Sequence, residues 1–297
     1  MSGKLKEVRE RIASVKNTQQ ITKAMKMVSA AKLRRAQEAI LQMRPYAVKM
    51  TEILTNLAEA TEGDINIAYA EERPVNKVLI VAVTSDRGLC GGFNSSIFKK
   101  VRAHIKENYA DLHAAGNVVV MPVGKKGDDT FRREGYAANR DYAELFGNLS
   151  FDSSTEAADY LKQAFLNKEY DRVDVVFNSF KNAATQILTV DQFLPIVKPE
   201  KTEEDSSAAK ADFIFEPEKE AMVEELVPKI LNTQFFRYLL DSNAAEHGAR
   251  MTAMDQATEN ANEMLKDLRI SYNRARQAAI TTELTEIVSG AAALEGA

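Results

Sequence analysis

The sequence has few of the residues that enzymes and disulfide-bonded proteins rely on. Among its 297 residues are one cysteine, Cys90, three histidines and no tryptophan. One cysteine excludes an intrachain disulfide and a cysteine-rich metal site. The histidines, His104, His113 and His247, do not lie at metal-ligand spacing, so solvated helix positions explain them better than a metal centre does.

Long hydrophobic runs are also missing. No run approaches 18 apolar residues, and the N-terminus MSGKLKEVRERI lacks the apolar core of a signal peptide. With 45% hydrophobic and 28% charged residues, the composition is typical of a soluble globular protein. We therefore expect a cytosolic protein that reaches a membrane only through partners.

Glycine and proline are absent from two long stretches, 4–44 and 249–289. Both are rich in Ala, Leu, Met, Gln, Lys, Arg and Glu, which favour helices. Each stretch predicts a helical rod of roughly 60 Å, which needs a partner along its length. The two rods pair as an antiparallel coil if the chain between them folds as a globule. Two ordinary amphipathic helices lying on that globule are the alternative.

Heptad spacing favours the coiled coil. Apolar or small residues recur at steps of three and four in both rods, at Leu5, Val8, Ile12, Val15, Ile40, Met43, Ala47, Met50, Leu54 and Leu57, and at Met254, Ala257, Ala261, Met264, Leu268, Ser271, Ala275 and Ala278. Between Val15 and Ile40 the heptad positions hold the polar residues Gln19, Thr22, Lys26 and Ser29. One face of the first rod is therefore interrupted by polar groups.

Positive charge is concentrated on the first rod. Residues 1–60 carry 12 Lys or Arg against 5 Asp or Glu, and no acid occurs from 11 to 37. This basic stretch has three interpretations: a solvated helix face, a nucleic-acid arm, or a surface that docks on acidic proteins. The aromatic residues or motif that a nucleic-acid arm would need are absent.

The middle of the chain predicts an α/β layer with a mostly parallel sheet. Strands are expected at 78–83, 118–123, 171–180 and 186–197, with a short one at 213–217; helices are expected at 94–109 and 153–168. The predicted divisions are an N-terminal helix at 1–60, a central α/β domain at 75–198, an acidic flexible loop and short strand at 199–217, and a C-terminal helix at 218–297.

Two glycine-rich turns follow predicted strands, where α/β proteins bind phosphate. Neither RGLCGGFN at 87–94 nor GKKG at 124–127 fits a nucleotide-binding pattern. A nucleotide-binding α/β enzyme with helical arms is nevertheless the main alternative function. Cys90 is better explained as a small buried residue than as a nucleophile.

Three segments resemble the gamma subunit of F-type rotary ATP synthases. They are NTQQITKAMKMVSAAKLRRA at 17–36, TSDRGLCGGFN at 84–94, and RMTAMDQATENANEMLKDLRISYNRARQAAITTELTEIVSGAAAL at 250–294. The resemblance implies that the two rods form a central stalk inside three alpha and three beta subunits. The α/β (Rossmann-like) domain would form a foot bound to the epsilon subunit and the membrane c-ring.

By the same resemblance, the chain is a non-catalytic rotor without a cofactor, on the cytoplasmic face of the inner membrane. It would couple proton-driven rotation of the c-ring to conformational change at the catalytic sites of the beta subunits. The polar interruption at 19–29 is then an outward, partner-contacting part of the rod. Contacts with beta are implied at Lys16, Lys23, Met25, Lys26, Arg34, Arg87, Arg276 and Gln277. An apical hydrophobic bearing is implied at Ile280, Leu284, Ile287, Val288 and Leu294.

Overall fold

The computed structural model describes residues 3–60, 68–196 and 219–295. These residues form two compact units. The first contains the described residues up to Ala30 together with those from Arg250 onward, and the second spans Ala31–Ala249. The acidic loop and short strand predicted at 199–217 lie outside the described residues.

Six α-helices and five strands lie in the described ranges. The helices are α1 (Gly3–Ala60), α2 (Phe93–Asn108), α3 (Ala110–Ala114), α4 (Lys125–Arg133), α5 (Phe151–Leu166) and α6 (Lys219–Glu295). The strands are β1 (Val78–Val83), β2 (Val118–Val123), β3 (Ala137–Ala138), β4 (Arg172–Phe180) and β5 (Gln186–Leu194).

The five strands form one sheet in the order β3-β2-β1-β4-β5. All neighbours are parallel except β4 and β5, which form an antiparallel pair. The central strand β1 is buried along its whole length, as its apolar sequence VLIVAV predicts for a strand covered on both faces. The prediction of a mostly parallel α/β layer is therefore confirmed.

Successive residues of β1 point into two different cores. Leu79, Val81 and Val83 pack with α5 and the 227–239 part of α6. On the other face, β1 residues pack with Ile97 and Val101 of α2 and with α4. The second unit is thus a three-layer sandwich, and its sheet is held rigidly from both sides.

Several element ends differ from the sequence predictions. Helix α5 begins at Phe151 because Ser150 caps it and forms a reciprocal capping box with Ser153, not at 153 as predicted. Strand β5 ends at Leu194, directly before Pro195, which has no N–H to donate to the ladder. The short helices α3 and α4 were not predicted. Pro45 lies inside the continuous helix α1.

A buried carboxylate braces α2 against the sheet. Asp174 on β4 accepts hydrogen bonds from His104 Nε2 at 2.8 Å, Tyr109 Oη at 2.6 Å and Arg172 Nε at 3.0 Å. Burial alone would raise the pKa of Asp174, but these donors and the charge of Arg172 lower it below its ordinary value. Burial and the bond to Asp174 raise the pKa of Tyr109.

Candidate functional site

The two terminal helices pair side by side in the first unit. Three side-chain contacts join α1 to α6: Gln19 Nε2 to Asn262 Oδ1, Thr22 Oγ1 to Thr258 Oγ1 at 2.8 Å, and Lys26 Nζ to Asp255 Oδ1 at 2.5 Å. The positions rise on α1 as they fall on α6, so the helices are antiparallel. The predicted antiparallel coiled coil is confirmed.

The polar residues of the 19–29 stretch face the partner helix, contrary to the prediction. Thr22 and Ser29 are buried, whereas the apolar Ile21 and Val28 are 60% and 58% exposed. The outward orientation predicted for the polar residues is therefore wrong. Gln19, Thr22 and Lys26 contact polar groups of α6 across the coil, whereas Ser29 Oγ donates to the Met25 carbonyl of its own helix at 2.8 Å.

On α6 some of the residues that face α1 are displaced by one position from the predicted heptad residues. Leu265 is 6% exposed, while the neighbouring Met264, predicted to lie in the seam, is 46% exposed. Ala261 and Leu268 face inward as predicted. The period of α6 allows either neighbour to face the partner, because both side chains are apolar, and packing against α1 selects the leucine.

The structure places the predicted cations of α1 in different settings. Lys16 and Lys23 are exposed in the first unit, and Met25 is half-buried there. Lys26 is half-buried and pairs with Asp255 of the same chain. Arg34 belongs to the second unit and pairs with Glu38, one turn further along α1, at 3.0 Å.

Arg276 and Gln277 are exposed on α6, far along the coil from Lys26. Lys26 is level with Asp255, and Arg276 lies 21 residues further along α6, a distance of about 30 Å at the helical rise. The predicted contact residues therefore do not form one cluster. Those on α1 and α6 lie at separate positions along the helices, and Arg87 lies in a loop of the second unit.

Beyond the coil, α6 continues without a described partner on α1. Gln19 is level with Asn262, and α1 begins at Gly3. The position on α6 that is level with Gly3 therefore lies as many residues after Asn262 as Gln19 lies after Gly3, which is at about residue 278. The apolar residues that follow are 48 to 67% exposed, namely Ile280, Leu284, Ile287 and Val288. The side chain of Leu294 is outside the described part of the chain. An exposed apolar stripe of this kind marks a protein contact.

The loop after β1 presents Arg87 to solvent from a firmly held base. Ser85 Oγ donates to the Arg87 carbonyl at 2.7 Å, and Asn94 Nδ2 donates to Ser85 Oγ at 2.7 Å. Cys90 is buried beneath the loop and lies 3.7 Å from Ser85 Oγ. These bonds fix the position of the loop and leave the Cys90 thiol inside the fold, as predicted.

The glycine-rich turn at 124–127 cannot serve as a phosphate loop. A phosphate would need the free N–H groups at the start of α4. These N–H groups already donate hydrogen bonds to the residues that follow β1. Lys125 N donates to Asp86 Oδ1, Lys126 N to the Ser85 carbonyl, and Gly127 N to Thr84 Oγ1. The turn therefore joins two strand ends.

Helix α6 fills the other position at which such a sheet binds ligands. In doubly wound folds the ligand crevice opens at the carboxyl ends of strands where the strand order reverses, here between β1 and β4. Asp241 of α6 lies 3.3 Å from Ser179 Oγ, and a side-chain carbon on Gly248 would come within 3.3 Å of Ala183. Small residues let α6 pack directly over the end of β4.

Sequence analysis missed the α6 partners of the polar seam. Asp255, Thr258 and Asn262 are spaced by three and four residues, which matches Gln19, Thr22 and Lys26 read in reverse. That complementarity was present in the sequence. It would have shown that the basic stretch of α1 has acidic and polar partners within the chain.

Comparisons with known proteins agree with this architecture. A family model described as ATP synthase matches residues 4–294. The ATP synthase gamma chain of Cytophaga hutchinsonii is 57% identical over 290 residues, covering 98% of both chains. That of Chlorobium phaeobacteroides is 50% identical over 292 residues, covering 98% of this chain and 99% of its own.

Solved structures with the same fold come from mitochondrial ATP synthases. A chain of the Euglena gracilis complex has a TM-score of 0.65 at 22% identity and covers 99% of this chain and 95% of its own. One from the Tetrahymena thermophila central stalk and c-ring has a TM-score of 0.55 at 25% identity and covers 80% of this chain and 99% of its own.

No helix in the described ranges is both long and apolar enough to cross a bilayer. The relatives match from one end of the chain to the other, including the paired helices and the sheet between them. The chain belongs to the ATP synthase family, among the gamma chains of bacterial F-type enzymes.

Proposed function

We propose that this chain is the central-stalk rotor of a proton-translocating ATP synthase, which couples rotation of the c-ring to conformational change in the beta subunits. The observation that carries the proposal is the antiparallel pair of helices α1 and α6, beyond which α6 continues with exposed apolar residues. The chain performs no chemistry itself, since the catalytic sites of the complex are in the beta subunits.

A rotor transmits energy only through contacts that differ between rotary states. The surface of the coil suits that requirement because it is uneven around its circumference. Ile21 and Val28 are exposed on α1, while other positions carry Lys16, Lys23 or Arg276. A surrounding ring of subunits would meet a different surface at each angle of rotation.

We assign the contacts with the beta subunits to Lys16, Lys23, Met25, Arg34, Arg87, Arg276 and Gln277. Exposed ion pairs contribute about 0.2–1 kcal/mol each, weak enough to form and break at every step. Like Arg34 with Glu38, Lys26 has an acidic partner in its own chain, Asp255. Its proposed contribution to beta contacts therefore requires it to share or exchange that partner.

The apolar end of α6 suits a bearing. Ile280, Leu284, Ile287 and Val288 project from a helix with no described partner on α1. We assign them, with Leu294, to an apical contact with a hydrophobic sleeve of alpha and beta subunits. Apolar contacts are non-directional, so they hold an axis in place without favouring one angle of rotation.

We assign the α/β domain at 75–198 to the foot of the rotor, which binds the epsilon subunit and the c-ring. The helical segments predicted at 1–60 and 218–297 form the shaft in this assignment. Membrane association then comes only through partners, on the cytoplasmic face of the inner membrane. Nucleic acid is not a partner in this function.

An affinity tag on this chain provides the direct test. Purification from detergent-solubilised membranes should recover alpha and beta subunits at three copies each per chain, with epsilon and the c-ring. Recovery of the chain alone, or with unrelated proteins, would refute the rotor function. Equilibrium dialysis of the isolated chain against ATP tests the enzyme alternative, which requires tight stoichiometric binding.

A further inference from the structure

The three polar pairs that join α1 to α6 follow one another without a gap. Together they form a polar ladder, which consists of Gln19 with Asn262, Thr22 with Thr258, and Lys26 with Asp255. Thr22 is buried, and its hydroxyl also donates to the Gln19 carbonyl at 3.0 Å. The Thr258 hydroxyl lies 2.7 Å from the Met254 carbonyl of its own helix as well as 2.8 Å from Thr22 Oγ1, so the two hydroxyls meet across the seam and each also has an acceptor within its helix.

The apolar contacts on the open side of the ladder repeat at heptad spacing. On α6 the inward positions there alternate between three alanines, Ala261, Ala275 and Ala279, and the larger Leu265, Leu268 and Tyr272. A shift of one heptad therefore still sets an apolar side chain at each inward position. The apolar seam favours association and distinguishes the alignments only through differences in side-chain size.

The polar ladder distinguishes the alignments. A shift of one heptad in one direction sets Thr22 against Leu265 and Gln19 against Arg269. A shift in the other direction sets Asn262 against Ile12 and Thr258 against Val15. Each shift breaks all three pairs and sets Thr22, or Asn262 and Thr258, against an apolar side chain. The new polar neighbours, Lys26 with Asn262 in one direction and Gln19 with Asp255 in the other, replace only part of the ladder.

We propose that the polar ladder sets the register of the coil, and that its six residues are positioning residues for coupling. A slip of one heptad would move α6 by about 10 Å along α1. It would move Arg276 from the level of Leu5 to the level of Ile12, or beyond the start of α1, so the two helices would present a different combined surface. This second part rests on the proposed rotor function, whereas the register itself does not.

Cysteine pairs in the full-length chain report the register. Val15→Cys with Leu265→Cys joins residues that are level in the observed alignment. Val15→Cys with Tyr272→Cys, and Val8→Cys with Leu265→Cys, join residues that become level only after a slip of one heptad in either direction. Chains with a single introduced cysteine control for Cys90, which is buried in the second unit.

Each cysteine pair is combined with the native ladder and with an apolar ladder. The apolar ladder carries Gln19→Leu, Thr22→Val, Lys26→Leu, Asp255→Leu, Thr258→Val and Asn262→Leu. Under mild oxidation the native ladder should cross-link the level pair at least about tenfold more than either slip pair, because slipping breaks the three polar contacts. The apolar ladder should cross-link all three pairs to comparable extents. Cross-linking of the level pair alone in both ladders would overturn the proposal.

A charge exchange covers the case in which the apolar ladder fails to fold. Lys26→Asp alone sets two carboxylates against each other and should raise slip cross-links several-fold. Adding Asp255→Lys restores an ion pair in the observed alignment and should return the native pattern. A rise that the second substitution does not reverse, or no rise at all, would contradict the ladder's role.

Coupling in the assembled complex tests the positioning role. A complex that carries Gln19→Leu, Thr22→Val, Thr258→Val and Asn262→Leu, with Lys26 and Asp255 unchanged, should pump at least twofold fewer protons per ATP hydrolysed. Unchanged pumping with a slipped coil would overturn the positioning role. The cross-linking pattern does not depend on what the chain assembles with, so failure of the rotor function would be seen separately in the purification.

Discussion

At the scale of single residues, Asp174 combines complete burial with three hydrogen-bond donors. Replacing it by Asn keeps its shape but leaves the charge of Arg172 without its counterion. We expect Asp174→Asn to lower the free energy of unfolding by about 3 kcal/mol. Urea denaturation of the isolated chain at pH 7 measures this, with the exposed Asp141→Asn as control. Equal effects of the two substitutions would contradict it.

The same carboxylate predicts a response to acid. The pKa of Asp174 is lowered in the folded chain, so the unfolded chain takes up its proton at a higher pH. The stability it contributes is complete above the unfolded pKa of about 3.9 and is lost as the pH falls below that value. Urea midpoints between pH 6 and pH 3 should therefore fall less steeply in Asp174→Asn than in the parent chain. Parallel profiles of the two chains would exclude Asp174 as a source of the loss of stability in acid.

Met25 offers a residue-level test of contact with the beta subunits. It is half-buried beside the polar ladder, within the segment ITKAM. An added positive charge should favour one rotary state and so impair coupling, lowering proton pumping per ATP in Met25→Lys while hydrolysis continues. Met25→Leu keeps the size without the charge and should behave as the parent. Unchanged coupling in Met25→Lys would refute the contact.

At the scale of elements, the start of α4 depends on a glycine. Gly124 has a φ of +110°, and a side-chain carbon there would lie 2.3 Å from the Thr84 carbonyl oxygen. Gly116 also has a positive φ, of +75°, but faces open space. Gly116→Ala should cost about 1 kcal/mol of unfolding free energy through backbone strain.

Gly124→Ala should cost about 2 kcal/mol more than Gly116→Ala, because the clash adds to the strain. Thermal or urea unfolding of the two variants under identical conditions gives the difference. Equal losses would mean that α4 moves away from β1 at little cost. The comparison isolates the close approach of the two elements from the effect of φ alone.

The sequence predicted elements well where one pattern has one meaning. The strand VLIVAV and the glycine-free rods are of this kind, because a short apolar run suits a strand covered on both faces and a long heptad repeat suits a coil. Helix α4 was missed because its sequence KKGDDTFRR contains one apolar residue, Phe131, which alone anchors it to the core. One apolar residue cannot produce the periodic pattern from which a helix is predicted.

The orientation of the polar seam was beyond what one helix pattern reveals. Polar residues such as Gln19 and Thr22 at heptad positions can either interrupt the contact between the two helices or meet polar residues of the partner helix. Only the sequence of α6 distinguishes these two arrangements. The choice between Met264 and Leu265 is similar, since packing against α1 settles it. The fold could be predicted from local patterns, whereas the contacts of the rod depend on pairing over more than 200 residues.

At the scale of the whole molecule, the end of α6 contributes to assembly and little to folding. Leu284 and Ile287 are 57% and 67% exposed. Replacing both by Ser should change the unfolding free energy of the isolated chain by no more than about 0.5 kcal/mol. In the complex, the same change should weaken retention of the shaft, measured as loss of this chain from alpha and beta subunits on gel filtration. A stability loss without an assembly defect would refute the bearing.

The packing of α6 over the carboxyl end of β4 has a metabolic consequence. Folds of this type commonly sense the cell through small molecules held at the carboxyl ends of their strands, but at β4 a helix of the same chain occupies that place. We therefore expect changes in ATP, ADP or dinucleotide levels to have no direct access to this end of β4. Metabolic control of the motor would then act through its neighbours or through the force that turns it.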